Sequence, residues 1–210
     1  MTSRLLDLAR QGTERPQAAA DERCELCSEP IGARHRHVLD LASRRLLCAC
    51  RACSLLFDRP AAGGDHFRLV PERRVPLDGF RLDDPLWDAL RIPVDMAFFF
   101  HHSGAGRVVA YYPSPMGATE SLLDLADWRH LADENPVLAE MEPDVEALLV
   151  NRARGAREHW LVGLDDCYAL VGLMRTRWKG LGGGRQVWQE IDRFFAGLRD
   201  DERKEATWRT

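Results

Sequence analysis

The chain has 210 residues, of which 45% are hydrophobic and 30% are charged, so it can bury a core of its own. Its formal net charge of -4 excludes a general electrostatic attraction to nucleic acid or to anionic membranes. No apolar run approaches the roughly 20 residues of a membrane-spanning helix, and the N-terminus lacks a secretory pattern, so we expect a cytoplasmic protein.

Before the first cysteine, the sequence predicts only a short helix and a linker. Leu5, Leu6 and Leu8 give residues 3–10 one apolar side, whereas residues 11–22 carry no core pattern. Farther along, Gly63 and Gly64 mark a second boundary. The predicted organisation is an N-terminal helix and linker at 1–22, a metal-binding module at 23–58, an α+β domain at 66–200 and a flexible tail at 201–210.

The cysteines carry the clearest chemical signal. Five of the six fall between residues 24 and 53, and four of them form the pairs Cys24/Cys27 and Cys50/Cys53, separated by 22 residues. Two thiolates three residues apart can hold one ion from a tight turn, and a second such pair completes a tetrahedron. The spacing therefore predicts a structural four-thiolate site for Zn²⁺, with iron as the alternative ion. Disulfides are a weaker interpretation in a chain without a secretory signal.

Three further residues of this stretch are possible ligands. Only one residue separates Cys48 from Cys50, and this spacing rarely lets both thiols reach one tetrahedral ion, so we interpret Cys48 as a buried thiol outside the ligand set. The alternatives are a Cys48/Cys53 pair in place of Cys50/Cys53, or a fifth thiolate from Cys48 for an iron–sulfur cluster. His35 or His37 would ligate only in place of a thiolate, since four cysteines already suffice.

The elements around the cysteines resemble a known architecture. Residues 37–41 and 45–49 have the pattern of a β-hairpin, and Cys50 to Phe57 can begin a short helix. A cysteine turn, a hairpin and a second pair that opens a helix resemble a treble-clef zinc finger over residues 24–57. Ser28 departs from that resemblance, because treble clefs often have glycine at this position.

The remaining chain predicts an α+β domain built on an antiparallel sheet. The expected strands are an edge strand at Phe67–Val75 broken by Pro71, a hairpin of Val94–His101 and Arg107–Tyr112 closed by Pro113, and strands at 145–150 and 159–162. Four helices are expected. The first begins near Asp84, the second runs from Thr119 to Leu131, the third begins at a cap of Asp165 or Asp166, and the fourth runs from Gln186 to Leu198.

No spacing in the chain predicts an active site. His101 and His102 end a strand at a turn, Cys167 belongs to an apolar helix face, and the glycines at 180–184 lack the Lys-Ser/Thr ending of a phosphate loop. Residues 21–58 contain six arginines and six acids, so this module has no basic stripe for nucleic acid. We therefore expect a non-enzymatic protein for which nucleic acid is an unlikely partner.

Several blocks together resemble one protein family. They are Cys-Ala-Cys-Arg-Ala-Cys-Ser-Leu-Leu-Phe at 48–57, Tyr-Tyr-Pro-Ser-Pro-Met-Gly-Ala-Thr-Glu-Ser at 111–121, Glu-Ala-Leu-Leu-Val-Asn-Arg at 146–152 and Trp-Lys-Gly-Leu-Gly-Gly-Gly at 178–184. They resemble an uncharacterised actinobacterial family encoded beside [NiFe]-hydrogenase structural and maturation genes, which brings no catalytic residues. The resemblance implies an accessory protein that docks on a hydrogenase subunit or maturation factor.

Two other functions fit the same residues. The four thiolates of a rubredoxin-like site can hold iron for electron transfer, as can an iron–sulfur cluster that includes Cys48. Ser28 and Ser54 disfavour the rubredoxin alternative, because rubredoxins commonly have glycine at these positions. A nucleic-acid-binding zinc finger is the other alternative, which the neutral charge of the module disfavours.

Overall fold

The chain separates into two units on either side of the bond between Phe67 and Arg68. The computed structural model describes residues 22–58, 66–122, 125–180 and 182–208, so the predicted helix at 3–10 and the Gly63–Gly64 boundary lie outside the described residues. Helices combine with antiparallel strands, and the cysteine pairs precede the larger sheet. The predicted α+β class is confirmed.

The elements are numbered in chain order. The strands are β1 Arg36–Asp40, β2 Arg45–Ala49, β3 Phe67–Leu69, β4 Arg74–Pro76, β5 Met96–His102, β6 Arg107–Ser114, β7 Gly117–Ser121, β8 Glu146–Asn151 and β9 Glu158–Gly163. The α-helices are α1 Arg51–Leu56, α2 Asp84–Ala89, α3 Leu125–Glu134, α4 Leu164–Arg177 and α5 Gly184–Trp208. Short 3₁₀ turns occupy Ser103–Ala105, Pro136–Glu140 and Ala153–Gly155.

The first unit is built on the predicted hairpin of β1 and β2. The two strands pair antiparallel from Arg36 opposite Ala49 to Asp40 opposite Arg45. The Asp40 carboxylate accepts hydrogen bonds from the backbone N–H groups of Ala42 and Ser43 and from the Ser43 hydroxyl, which lowers the pKa of Asp40. These bonds close the turn, and they fix which residues of β1 and β2 face each other.

The second unit contains a six-stranded antiparallel sheet within the described residues, in the order β4-β9-β8-β5-β6-β7. The predicted hairpin of β5 and β6 and the predicted strands β8 and β9 are confirmed, with bounds shifted by one or two residues. Alternating side chains of β5 enter different cores: Phe98 and Phe100 pack on one face, and Phe99 on the other. Helices α4 and α5 cover the first face, while α2 and α3 cover the second.

The predicted helix from Thr119 to Leu131 is wrong in its first half. Residues Gly117–Ser121 form β7, which pairs with β6, and the helix begins only at Leu125. Pro113 does not close the hairpin. Its nitrogen carries no hydrogen, but the pairing of β6 with β5 already ends at Tyr111, so Pro113 interrupts no hydrogen bond to β5. The edge of β6 that faces away from β5 pairs with β7 from Ala110 to Ser114.

The expected edge strand from Phe67 to Val75 is broken around Pro71, as predicted, and forms two strands, β3 and β4. Two other details differ from the expectations. Gly163, rather than an aspartate, caps α4; a Cβ there would lie 2.4 Å from the Pro71 carbonyl oxygen, so the position requires glycine. Helix α5 continues past Leu198 to Trp208, because the charged residues beyond Leu198 include no glycine or proline that would end a helix.

Candidate metal centre

The first cysteine pair lies in a tight turn. The Ser28 N–H donates to the Cys24 carbonyl at 2.8 Å, and the Cys24 N–H donates to the Glu29 carbonyl at 2.8 Å. Ser28 takes a φ of 67°, in the left-handed region that glycine adopts most readily. The chain therefore makes the glycine-type turn with serine, at a cost of about 1–2 kcal/mol.

The second pair opens helix α1, as predicted. Cys50 is the N-cap residue, and its sulfur accepts a hydrogen bond from the Cys53 N–H at 3.4 Å. Cys53 lies in the first helical turn and is 8% exposed. A sulfur at the N-cap and a second one three residues later lie on the same side of the helix start, where the positive end of the helix dipole favours thiolates.

The two pairs bring four sulfurs together. The Sγ atoms of Cys24, Cys27, Cys50 and Cys53 all lie within 4.8 Å of one another. The Sγ atoms of Cys27 and Cys50 are 3.7 Å apart. Four thiolates at about 2.3 Å from a tetrahedral ion stand about 3.8 Å apart, so the sulfurs are already near the spacing that such an ion requires. This cluster can bind a metal ion.

The pKa shifts of Cys24, Cys27 and Cys53 also favour a cation. Burial opposes ionisation of Cys24, but hydrogen bonds from the backbone of Cys50, Leu26 and Cys27 outweigh it and lower the pKa of Cys24 to about 6. Burial, followed by hydrogen bonds to its cysteine neighbours, raises the pKa of Cys53. Hydrogen bonds with the Glu29 backbone and the Cys53 thiol lower the pKa of Cys27, but the thiols of Cys24 and Cys50 together with burial raise it overall. Ionisation of one thiol therefore disfavours ionisation of a neighbouring thiol, and a bound cation would displace the remaining protons.

Cys48 does not join this cluster, and neither histidine replaces one of its thiolates. Cys48 is half-buried rather than buried, and burial followed by the charges of Glu25 and Glu22 raises its pKa. It stands with His35 and His37 in a second group of three possible ligands. Sequence reasoning considered each of these residues separately; the signal it missed is that His37 and Cys48 occupy facing positions of the hairpin.

Most of the other sequence candidates have structural partners. Asp166 makes two hydrogen bonds to the Arg74 guanidinium, at 2.7 and 2.8 Å, and Cys167 is fully buried in the core as predicted. His102 accepts a hydrogen bond from the Ala105 N–H, which caps a 3₁₀ turn. His101 has a buried Nδ1 without a hydrogen-bond partner in the described part of the chain.

The glycine-rich turn supports two tryptophans. Trp178 Nε1 donates to the Gly180 carbonyl at 2.9 Å, and Trp188 Nε1 donates to the Gly182 carbonyl at 3.1 Å. Gly183 has a φ of 75°, and a Cβ there would lie 2.8 Å from the Trp178 ring. The Trp178 ring therefore explains the glycine at 183, and the carbonyls of Gly180 and Gly182 hold the two indole N–H groups.

Comparisons with known proteins place most of the chain in one family. Residues 23–202 match the sequence model described as "Family of unknown function (DUF5947)". No curated protein and no solved structure matches the chain. Among the helices that the structure describes, none combines the length and the apolar character of a membrane span.

Proposed function

We propose that this chain, which belongs to the DUF5947 family of unknown function, is a zinc-stabilised, non-enzymatic accessory protein. Cys24, Cys27, Cys50 and Cys53 would hold one Zn²⁺ and so stabilise the first unit. The observation that carries this proposal is the convergence of the four sulfurs to within 4.8 Å of one another. Four protein ligands leave no open position for substrate, which is typical of structural zinc.

The second cysteine pair favours zinc over rubredoxin-like iron. A rubredoxin-like site would have a second tight cysteine turn, whereas here Cys50 caps α1 and Cys53 lies inside it. The Ser54 hydroxyl donates to the Arg51 carbonyl at 2.9 Å, so it serves the helix rather than a sulfur. Zinc also tolerates tetrahedral sulfur without redox demands on the protein.

The identity of the metal can be measured on the full chain. After anaerobic purification and dialysis, we expect about one tightly bound zinc per chain and a colourless protein. X-ray absorption at the zinc edge should show four sulfur neighbours at about 2.3 Å. One iron per chain, with a visible spectrum that bleaches on reduction, would contradict the zinc assignment and favour the electron carrier.

The accessory role requires a protein partner, which we propose to be a [NiFe]-hydrogenase subunit or maturation factor. The family resemblance of the sequence blocks suggests this partner. Two adjacent leucines of α1, Leu55 and Leu56, are 64% and 62% exposed, and they follow Cys53 in the same helix. Paired apolar side chains on a metal-anchored helix are suitable for burial by another protein.

Binding to hydrogenase proteins tests this role. We expect the zinc-loaded chain to bind a purified hydrogenase large subunit, small subunit or maturation factor in an interferometry assay. Leu55→Asp together with Leu56→Asp should weaken binding about tenfold or more, since charge would enter a desolvated contact. Met116→Asp is the matched control, because Met116 is 93% exposed on a different unit. Failure of all three classes of hydrogenase protein to bind would contradict the partner, but not the zinc site.

A further inference from the structure

The β1–β2 hairpin carries a second group of ligand side chains on one face. His35 and His37 are two positions apart, as are side chains on the same side of an extended chain. Cys48 lies directly opposite His37 in the antiparallel register. One ring nitrogen of each histidine and the Cys48 sulfur all lie within 4.8 Å of one another, and the two imidazole rings are 4.9 Å apart.

His35 is oriented as a metal-binding histidine. Its Nδ1 is 2.9 Å from the Gly32 carbonyl oxygen and 3.5 Å from a Glu22 carboxylate oxygen, so both neighbours of Nδ1 are acceptors. The proton of the neutral ring therefore belongs on Nδ1, which leaves a lone pair on Nε2. The His35 side chain is 10% exposed, and its Nε2 is buried without a hydrogen-bond partner within the described residues. A backbone carbonyl on one nitrogen and a bare lone pair on the other is the usual arrangement around a ligating imidazole.

Two carboxylates lie beside these ligands. Glu25 accepts a hydrogen bond from the Cys48 N–H at 2.8 Å, and a Glu22 carboxylate oxygen lies 3.5 Å from His35 Nδ1. Arg45 also pairs with Glu25 at 3.2 Å, through a side chain that is 68% exposed. The charges of both carboxylates act on the Cys48 thiol, and both favour a cation beside it.

We propose that His35, His37 and Cys48 form a second metal site, separate from the four-cysteine cluster, for one divalent transition-metal ion. The ion takes two imidazole nitrogens and one thiolate, and the Cys48 proton passes to solvent on binding. Ligand distances of about 2.0–2.3 Å place such donors about 3.3–3.7 Å apart, so at most about 1.5 Å of closure is needed from side-chain rotation. Three protein ligands leave the fourth position of a tetrahedral ion for water or for a partner's side chain.

Cobalt titration of the zinc-loaded full chain tests the proposal. Zinc remains in the four-cysteine cluster because thiolates prefer it to cobalt, so added Co²⁺ occupies the second site. We expect about one Co²⁺ per chain, with thiolate-to-cobalt charge-transfer absorption of a single sulfur ligand. Absence of this band, or a band as intense as that of a four-thiolate cobalt site, would overturn the proposal.

Variants separate the second site from the first. Cys48→Ser, which preserves size, should abolish the charge-transfer band, while X-ray absorption still shows zinc with four sulfur neighbours. His35→Ala should raise the apparent Kd for Co²⁺ at least about tenfold. His66→Ala is the matched control, because His66 is an exposed histidine of the same unit outside the cluster. An unchanged band in Cys48→Ser would overturn the second site, whereas loss of zinc from the wild-type cluster would count against the first site alone.

Discussion

Removing the metal from the four-cysteine cluster should unfold residues 22–58 and leave the second unit folded. Metal binding supplies about 10–16 kcal/mol of apparent folding free energy in small zinc domains. Apart from its cysteines, the described part of the first unit fully buries only a few apolar side chains, which are Val38, Leu39 and Ala49. This small core cannot replace the metal, because domains of this size rarely fold on apolar burial alone.

The second unit should remain folded because it has its own cores on both sheet faces. Phe98, Phe99, Leu148 and Leu161 are among its fully buried side chains. All six tryptophans lie after residue 67, so tryptophan fluorescence reports on this unit alone. After chelation we expect an unchanged fluorescence melting transition, together with rapid proteolysis inside residues 22–58. Mass spectrometry of the fragments would show whether cleavage also occurs at the Gly63–Gly64 boundary that the sequence predicts.

Matched cysteine variants sharpen this prediction. Cys50→Ser should lose the tightly bound zinc and become protease-sensitive without chelator, since it removes one of the four converging sulfurs. Cys48→Ser should keep that zinc and resist the protease, because Cys48 lies outside the cluster. Equal zinc loss in both variants would mean that the ligand set is wrong. A single transition in which the tryptophans and the first unit melt together would show that the units share their stability.

The second unit should lose stability as the pH falls from about 6.5 to 4, through His159. This side chain on β9 is 9% exposed, and its ring stacks on Phe80 with 4.8 Å between centroids. Burial, followed by the charges of Arg152 and Arg157, lowers its pKa to about 4 from an ordinary value of 6.5. Between these two values the unfolded chain binds the proton and the folded chain does not, so acid favours unfolding. The difference is on the order of 3 kcal/mol, fully lost near the folded pKa.

Urea unfolding followed by tryptophan fluorescence at pH 7 and pH 4 measures this effect. His159→Phe keeps an aromatic ring beside Phe80 but cannot be protonated, so its stability should fall by less over the same interval. The difference between the two proteins isolates His159 from carboxylates that titrate near pH 4. His130→Gln is the control, because His130 is exposed on α3 and should behave as wild type. Parallel losses in wild type and His159→Phe would show that another group controls the acid sensitivity.

Local patterns in the sequence were sufficient for the elements whose contacts are close along the chain. The two Cys-x2-Cys pairs predicted the four-cysteine cluster, because each pair needs only one turn or the start of one helix to align its sulfurs. The hairpin of β1 and β2 followed from strand patterns around a turn, and Cys167 was placed in the core from its helical spacing. These are properties of a few neighbouring residues, which the sequence by itself determines.

Contacts between distant residues were decided only by the tertiary structure. The residues around Thr119 are compatible with a helix, yet they form β7. Their backbone pairs with the edge of β6, and this pairing outweighs a weak local preference. Asp166 fits a helix cap by position, but Arg74, from a strand 92 residues earlier, pairs with it. The grouping of His35 and His37 with Cys48 depends on the hairpin register, since a shift of one residue would turn Cys48 to the other face. Register and edge pairing depend on the whole sheet, so no local pattern could reveal them.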